Sequence, residues 1–451
     1  MAEYVELIVS LRPLLATFAG VAGLLYLILA RKVDAFTALL VAALGSGLAA
    51  GLAPIEVLKS VQNGFAGVLG FIAVVVGLGA LLGTYLEASG GAHALASTII
   101  GSKSPRPASI ALGFVGLVIA IPVFFDVGLI LLFPLVRALA KKAKKPALYF
   151  GLPLLAGLAT AHAFIPPTPG PVAVSEILQA DIGLVMICGL LAGIPAMLVA
   201  GPLYARVAEV KGWLPDVLAK TSDDAHAPAR IDRQLAWRAS IAIITPVILI
   251  VSSAVAGLLG SENEAITFIG HPFVALLIGC GLSAWVLRPT DAIGKARLND
   301  GLRRALEPTA VILLVTGAGG AFKQILVDTG AGEMLAGGLL AFGLGPIFAG
   351  FALAALVRAA QGSATVAMLT AAAMCAPLAT QAGLGPWDLA RMVIAIAAGA
   401  SIVSHVNDSG FWLVSRYFGI DEKDTLKTWT VASTLVGVTG LAMAALLGAF
   451  V

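Results

Sequence analysis

The chain has 451 residues, of which 59% are hydrophobic and only 12% charged, against roughly 25% charged in soluble domains, so a soluble fold of this size is excluded. Its 51 Gly and 23 Pro lie inside apolar runs, which excludes disordered and collagen-like chains and favours an all-α polytopic membrane protein over a barrel. A net charge of +3 is too small to point to nucleic acid. Cys188, Cys280 and Cys375 sit in apolar runs at no metal-ligand spacing, so no disulfide framework, metal site or cofactor is expected.

Glu3 and Glu6 precede the first apolar run, at about 11–30, and Arg31 and Lys32 follow it. That order describes a first transmembrane helix with its basic end toward the cytoplasm, not a cleavable signal. Further runs of spanning length occur at about 35–52, 66–88, 148–166, 181–204, 239–259, 271–287, 309–327, 388–415 and 428–451. Two longer runs, 107–136 and 346–378, exceed what one crossing needs and carry helix-breaking and ionisable residues at their middles. The first holds Pro122 and Asp126, the second Arg358, Gln361, Gly362 and Ser363. Such residues are tolerated at membrane depth where they are buried in protein or line a cavity, so both runs are expected to be re-entrant hairpins rather than long kinked helices.

Charge placement favours the hairpins. With them, the basic clusters at 31–32, 103–145, 206–238, 288–304 and 416–427 fall on one face and hold 23 of the 28 Lys and Arg, a strong positive-inside pattern. Both termini are then expected on the periplasmic face. Internal similarity agrees: Gly77-Leu-Gly recurs as Gly317-Ala-Gly, Gly113-Phe114 aligns with Gly350-Phe351, and His162 with His405. The chain is therefore expected to hold a first repeat over 1–204, a cytoplasmic linker over 205–238 and a second repeat over 239–451. Each repeat has three crossings, a hairpin, a broken helix (about 148–180 and 388–415) and a last crossing. Five crossings make the second copy inverted, the design of secondary transporters with a midplane site.

Polar groups at membrane depth converge in four segments. They are Phe125, Asp126, Val127 and Gly128 in the first hairpin; His162 to Val172, including Thr168, Pro169 and Gly170, in the first broken helix; Gln361, Gly362, Ser363, Ala364 and Thr365 in the second hairpin; and Ser404 to Gly410, including Asn407 and Ser409, in the second broken helix. Pro166, Pro167 and Pro169 force extended chain there. Half-helix N-termini with a positive dipole end suit an anionic ligand. Asp126 and Asp408 can carry a proton or cap a broken helix, and His162 and His405 can carry a proton or bond a freed carbonyl. Arg358 either pairs with a protein carboxylate or meets a substrate carboxylate. Lys323 is expected to snorkel toward water, and Glu87 and Asp328 to serve helix ends. No zincin, nucleophile-elbow or P-loop pattern appears, which argues against an intramembrane enzyme or ATP-driven pump; a channel stays open as an alternative.

Residues 121–128, 162–173, 361–367 and 405–412 resemble the gluconate:proton symporter (gluconate permease) family of the ion transporter superfamily, and the similarity runs nearly end to end. The resemblance implies proton-driven uptake of gluconate, a related sugar acid, or a small hydroxy acid such as D-serine across a bacterial inner membrane. It also implies a homodimer whose hairpins and broken helices form a transport domain that slides against a scaffold. The Ser-Asn-Thr sodium motifs of the dicarboxylate branch are missing, which favours protons.

Overall fold

The computed structural model describes residues 2–101, 103–215, 232–261, 263–289, 291–331, 345–406 and 408–450. Among them the secondary structure is helical throughout, with no strand. Three helices open the chain: α1 (Ala2–Leu29), α2 (Ala35–Ala50) and α3 (Pro54–Ala88). Asp34 caps α2 by accepting from the Thr37 amide, which holds its carboxyl below the usual aspartate range. The third crossing starts well before residue 66, because Pro54 occupies the first helical turn and Glu56 Oε2 accepts from the Ala53 amide at 3.1 Å.

The run at 107–136 is interrupted. Following a short helix, α4 (Gly91–Ile100), it folds as α5 (Pro105–Ile119) and α6 (Phe125–Ala143), separated by five non-helical residues around Pro122. The first broken helix is α7 (Ala147–Phe164) and α8 (Pro169–Leu178), parted at the cis Pro166–Pro167 bond. Then come α9 (Ile182–Leu198), a π-helical turn (Val199–Leu203) and α10 (Tyr204–Val210). Residues 216–231 of the expected linker lie outside the described residues.

The second half holds α11 (Arg233–Leu258), α12 (Glu264–Gly270), α13 (Pro272–Val286), α14 (Ala292–Arg304) and α15 (Glu307–Asp328). Helices α12 and α13 meet at a 59° bend. Two features here are not in the sequence pattern of spans. Helix α14, within the basic cluster 288–304, is amphipathic, buries Gly294 and Leu298, and packs on α3, where Gly301 faces Thr84. Lys323 does not snorkel: its Nζ donates to the Ile177 carbonyl at the end of α8, at 2.5 Å.

The second long run is also interrupted, into α16 (Pro346–Gln361) and α17 (Ala364–Gln381), with Gly362 at φ 91° between them. A left-handed φ is open to glycine at no steric cost. The second broken helix is α18 (Pro386–Ser401) and α19 (Ser409–Phe418). The chain finishes with α20 (Glu422–Thr425), a π-helical turn (Leu426–Thr430) and α21 (Val431–Leu446). Seven helices, or eight with the bent pair, are long and apolar enough to cross a membrane among the described residues.

Small residues let these helices touch backbone to backbone, as is usual where lipid offers no hydrophobic driving force. Helix α3 crosses α15 at Gly64 and Gly320; a Cβ on Gly64 would lie 2.4 Å from the Gly320 carbonyl oxygen, and one on Gly320 2.5 Å from that of Gly64. Gly67, one residue type and one turn away, has nothing within 4 Å. Gly64→Leu and Gly320→Leu are therefore expected to lower the thermal midpoint of the detergent-purified protein, each by the equivalent of about 1–3 kcal/mol of overpacking or more. Gly67→Leu should leave it within error; equal midpoints for all three would contradict this helix crossing.

Candidate functional site

The four helix breaks open onto one cavity of about 390 Å³, within the roughly 300–1,000 Å³ usual for small-molecule sites. The first turns of α6, α8, α17 and α19 reach it through Phe125 and Asp126, through Gly170, through Ala364 and Thr365, and through Ser409 and Gly410. A helix start leaves four amides without an intrahelical partner and carries the positive end of the dipole. Ser363 caps α17 by accepting from the Val366 amide, and Asp408 caps α19 by accepting from Gly410. The starts of α6 and α8 have no side-chain cap. Four positive helix ends, two of them without a capping side chain, favour an anion in this cavity.

Arg358 lies in the last turn of α16 and is 4% exposed. Its Nη2 pairs with Asp408 Oδ2 at 2.5 Å, and its Nη1 donates to the Gly362 carbonyl. Its Nε has no partner among the described residues. Asp408 is thus both cap and counter-ion: Oδ1 accepts from the Gly410 amide at 3.1 Å, while Oδ2 serves Arg358 and the Ser404 hydroxyl. Ser404 Oγ in turn accepts from Trp429 Nε1 at 2.7 Å. The non-helical residues after α18 are held against the final crossing, with Ser404 N donating to Ser433 Oγ at 3.3 Å and Val403 N to Thr434 Oγ1 at 3.1 Å. Val403 has φ 48°, unfavourable for a β-branched residue, and this anchoring holds it there.

Asp126 faces the cavity and makes no ion pair among the described residues. His162 lines the same wall edge-on to Phe124, with ring centroids 6.1 Å apart, and its Nδ1 has no partner among the described residues. Phe125 packs on Trp429 at 5.5 Å.

Of the residues singled out from sequence, the cavity brings together Phe125, Asp126, His162, Gly170, Arg358, Gly362, Ser363, Ala364, Thr365, Asp408, Ser409 and Gly410. Others lie elsewhere. Val127 borders a separate pocket of about 270 Å³ with Glu87, Asp300 and Arg304. Gly128 faces Leu158, whose Cδ2 would be 2.6 Å from an added Cβ. Thr168 and Pro169 bound a narrow gap of about 20 Å³ near Gly79, and Thr168 Oγ1 donates to the Ile165 carbonyl at 2.6 Å. His405 is partly buried and does not line the cavity. Asn407 and the side chain of Gln361 lie outside the described residues.

Trp429 and Ser433 line the cavity from a run that reads as a plain crossing. The signal for them was slight: a Thr-Trp-Thr at the start of the run, where the structure has a π-helical turn. The Arg358–Asp408 pair has a direct consequence for stability. Arg358→Met and Asp408→Asn should each cost about 3–5 kcal/mol by stranding a charge, and the double substitution less than either. Thermal midpoints of the four purified proteins check this, and simple additivity would contradict the pairing.

Comparison with known proteins agrees with this architecture. The GntP family permease model matches residues 12–451. The chain is 36% identical over 437 residues to the low-affinity gluconate transporter of Escherichia coli (strain K12), covering 96% of this chain and 97% of that protein. It is also 36% identical over 434 residues to the Gnt-II system L-idonate transporter of the same organism, covering 95% and 97%. Among solved structures it resembles the YdaH transporter of Alcanivorax borkumensis, with a TM-score of 0.62, 16% identity and 88% of each chain covered, a likeness of fold. A polytopic helical chain matched end to end in this way is a multi-pass membrane permease rather than an enzyme, and it belongs to the GntP permease family.

Proposed function

We propose that the protein imports gluconate or a closely related sugar acid by proton symport across a bacterial inner membrane, with both termini periplasmic. The observation that carries this is the cavity itself: four helix starts and one buried guanidinium around a space of small-ligand size, in a chain about 36% identical to gluconate and L-idonate transporters. A carboxylate head would meet Arg358 and the helix starts, and the hydroxyls of a sugar acid would meet Ser363, Thr365, Ser401, Ser409 and Ser433, all on the cavity wall. The small residues Gly362, Ala364 and Gly410 on the wall leave the backbone open to close approach. Asp126, His162 and Asp408 are the groups on the wall able to hold a proton; His405, outside it, would act only indirectly.

The architecture we propose has two inverted repeats, over 1–204 and 239–451, joined by the linker 205–238. Both halves carry a broken long run followed by a broken helix, and a π-helical turn follows α9 in the first half and precedes α21 in the second. Alternating access would move the hairpins and broken helices as a unit against a scaffold of α1–α3 and α11–α15, in a homodimer. Unequal packing of the two hairpins supports this. Helix α17 packs on α8 and α15, whereas α6 packs mainly on α7. Exchange of those two environments between the repeats would produce the oppositely facing state.

Uptake into proteoliposomes tests the function. Labelled gluconate should accumulate under an inward proton gradient and stop when a protonophore is added; equilibration without accumulation would mean a pore. Asp126→Asn should lower accumulation by about tenfold or more, the effect of ~1.4 kcal/mol, with a smaller change for His405→Ala. Wild-type uptake by Asp126→Asn would remove that role. Arg358→Lys loses the two-bond match to a carboxylate and should raise the half-saturation concentration by about tenfold; an unaltered value takes Arg358 out of the site. Competition by gluconate, L-idonate, glycerate and D-serine against one label ranks the substrates, and preference for glycerate or D-serine would favour a small hydroxy acid instead.

A further inference from the structure

We propose that Asp408 is the proton carrier that couples transport, and that it works by competing directly with the substrate carboxylate for one edge of Arg358. This rests on the cavity being a sugar-acid site. The Nε and Nη2 hydrogens of an arginine share an edge that a carboxylate can span with two parallel bonds. Asp408 fills only half of it. Its Oδ2 sits on Nη2 at 2.5 Å, its Oδ1 is turned away to the Gly410 amide at 3.1 Å, and Nε is left buried with no partner among the described residues. A substrate carboxylate placed on that edge would satisfy both donors, provided Oδ2 gives up Nη2.

Protonation supplies the release. A proton from the cavity adds to Oδ2 and turns the carboxylate into a neutral acid. Oδ2 keeps accepting from the Ser404 hydroxyl on its remaining lone pair and its new O–H turns to the cavity, while Oδ1 keeps the Gly410 amide and α19 stays capped. Nη1 stays on the Gly362 carbonyl, so the guanidinium does not leave the hairpin tip. Each bond given up has a replacement.

Charge balance then sets the coupling. With the site empty, Arg358 and Asp408 neutralise each other; with one anion and one proton bound, Arg358 and the anion do. An anion without a proton would put two carboxylates against one guanidinium, and a proton without an anion would leave that guanidinium bare. Both place an unpaired charge at membrane depth and are disfavoured. The other charged or titratable groups toward Asp408 are Asp126 on α6 and His162 on α7 across the cavity, and His405 on its own segment. Asp126 faces the same space without an ion pair among the described residues, and when ionised it would add to the penalty for entry without a proton. The carrier therefore cycles empty or doubly loaded, at one proton per anion.

Calorimetric titration of the purified wild-type protein with gluconate, in buffers of different ionisation enthalpy above neutral pH, counts the protons taken up on binding. One proton per anion is expected. Asp408→Asn keeps a side chain that caps a helix equally well; it should bind gluconate with no linked proton and a pH-independent affinity, and support counterflow but not accumulation. Ser404→Ala, a small change that leaves the ion pair in place, should shift the pH midpoint of gluconate affinity, and this readout holds if Asp408→Asn fails to fold. No proton uptake by wild type, full uptake by Asp408→Asn, or an unshifted midpoint in Ser404→Ala would each overturn the proposal. Wild type that gives neither binding heat nor gluconate counterflow would overturn the sugar-acid function itself, and the proposal with it.

Discussion

Everything distinctive about this molecule follows from main-chain amides and carbonyls that a membrane helix normally hides within itself. Hydrocarbon cannot hydrogen-bond them, so a break in a spanning helix is tolerated only where protein or a water-filled cavity takes their place. Here the helix starts that follow four of the breaks among the described residues, those of α6, α8, α17 and α19, are collected around one space. Collecting them concentrates positive dipole ends around it, and the same step that solves the backbone problem favours an anion there.

The surrounding packing serves to hold those ends still. Gly64 and Gly320 let α3 and α15 meet at backbone contact, and Gly157 against the Gly113 carbonyl and Gly399 against that of Phe351 do the same beside the two hairpins. Val403 and Ser404 are tied to the last crossing through Ser433, Thr430 and Thr434. A small-residue framework thus fixes the position of Asp408, and Asp408 fixes that of Arg358. Only rigid supports of this kind can keep a buried ion pair within reach of a ligand and still leave one donor of the guanidinium unused.

Much of this was legible in the residues. Three prolines within four positions at 166–169, a glycine after Arg358 and two aspartates in apolar surroundings do not suit ordinary membrane helices, and helices are interrupted beside each of them. What sequence could not show was direction and partnership. Asp126 faces the cavity while Val127 and Gly128, 100° and 200° further round the same helix, face a side pocket and Leu158. The pairing of Arg358 with Asp408 spans fifty residues and depends on how two helix breaks meet. Trp429 was hidden because an apolar run discloses its length and not its lining face. Helix α14 was hidden for the opposite reason: its cations looked like loop, although Gly294 and Leu298 already supplied an apolar stripe.

The account stands or falls on where the anion binds. A density map of the protein with gluconate present should place the carboxylate on the Nε and Nη2 edge of Arg358, with the sugar-acid chain running among the first turns of α6, α8, α17 and α19. Gluconate density elsewhere, such as in the cleft lined by Glu176, Asp181 and His271, with the Arg358–Asp408 pair unaltered, would contradict it.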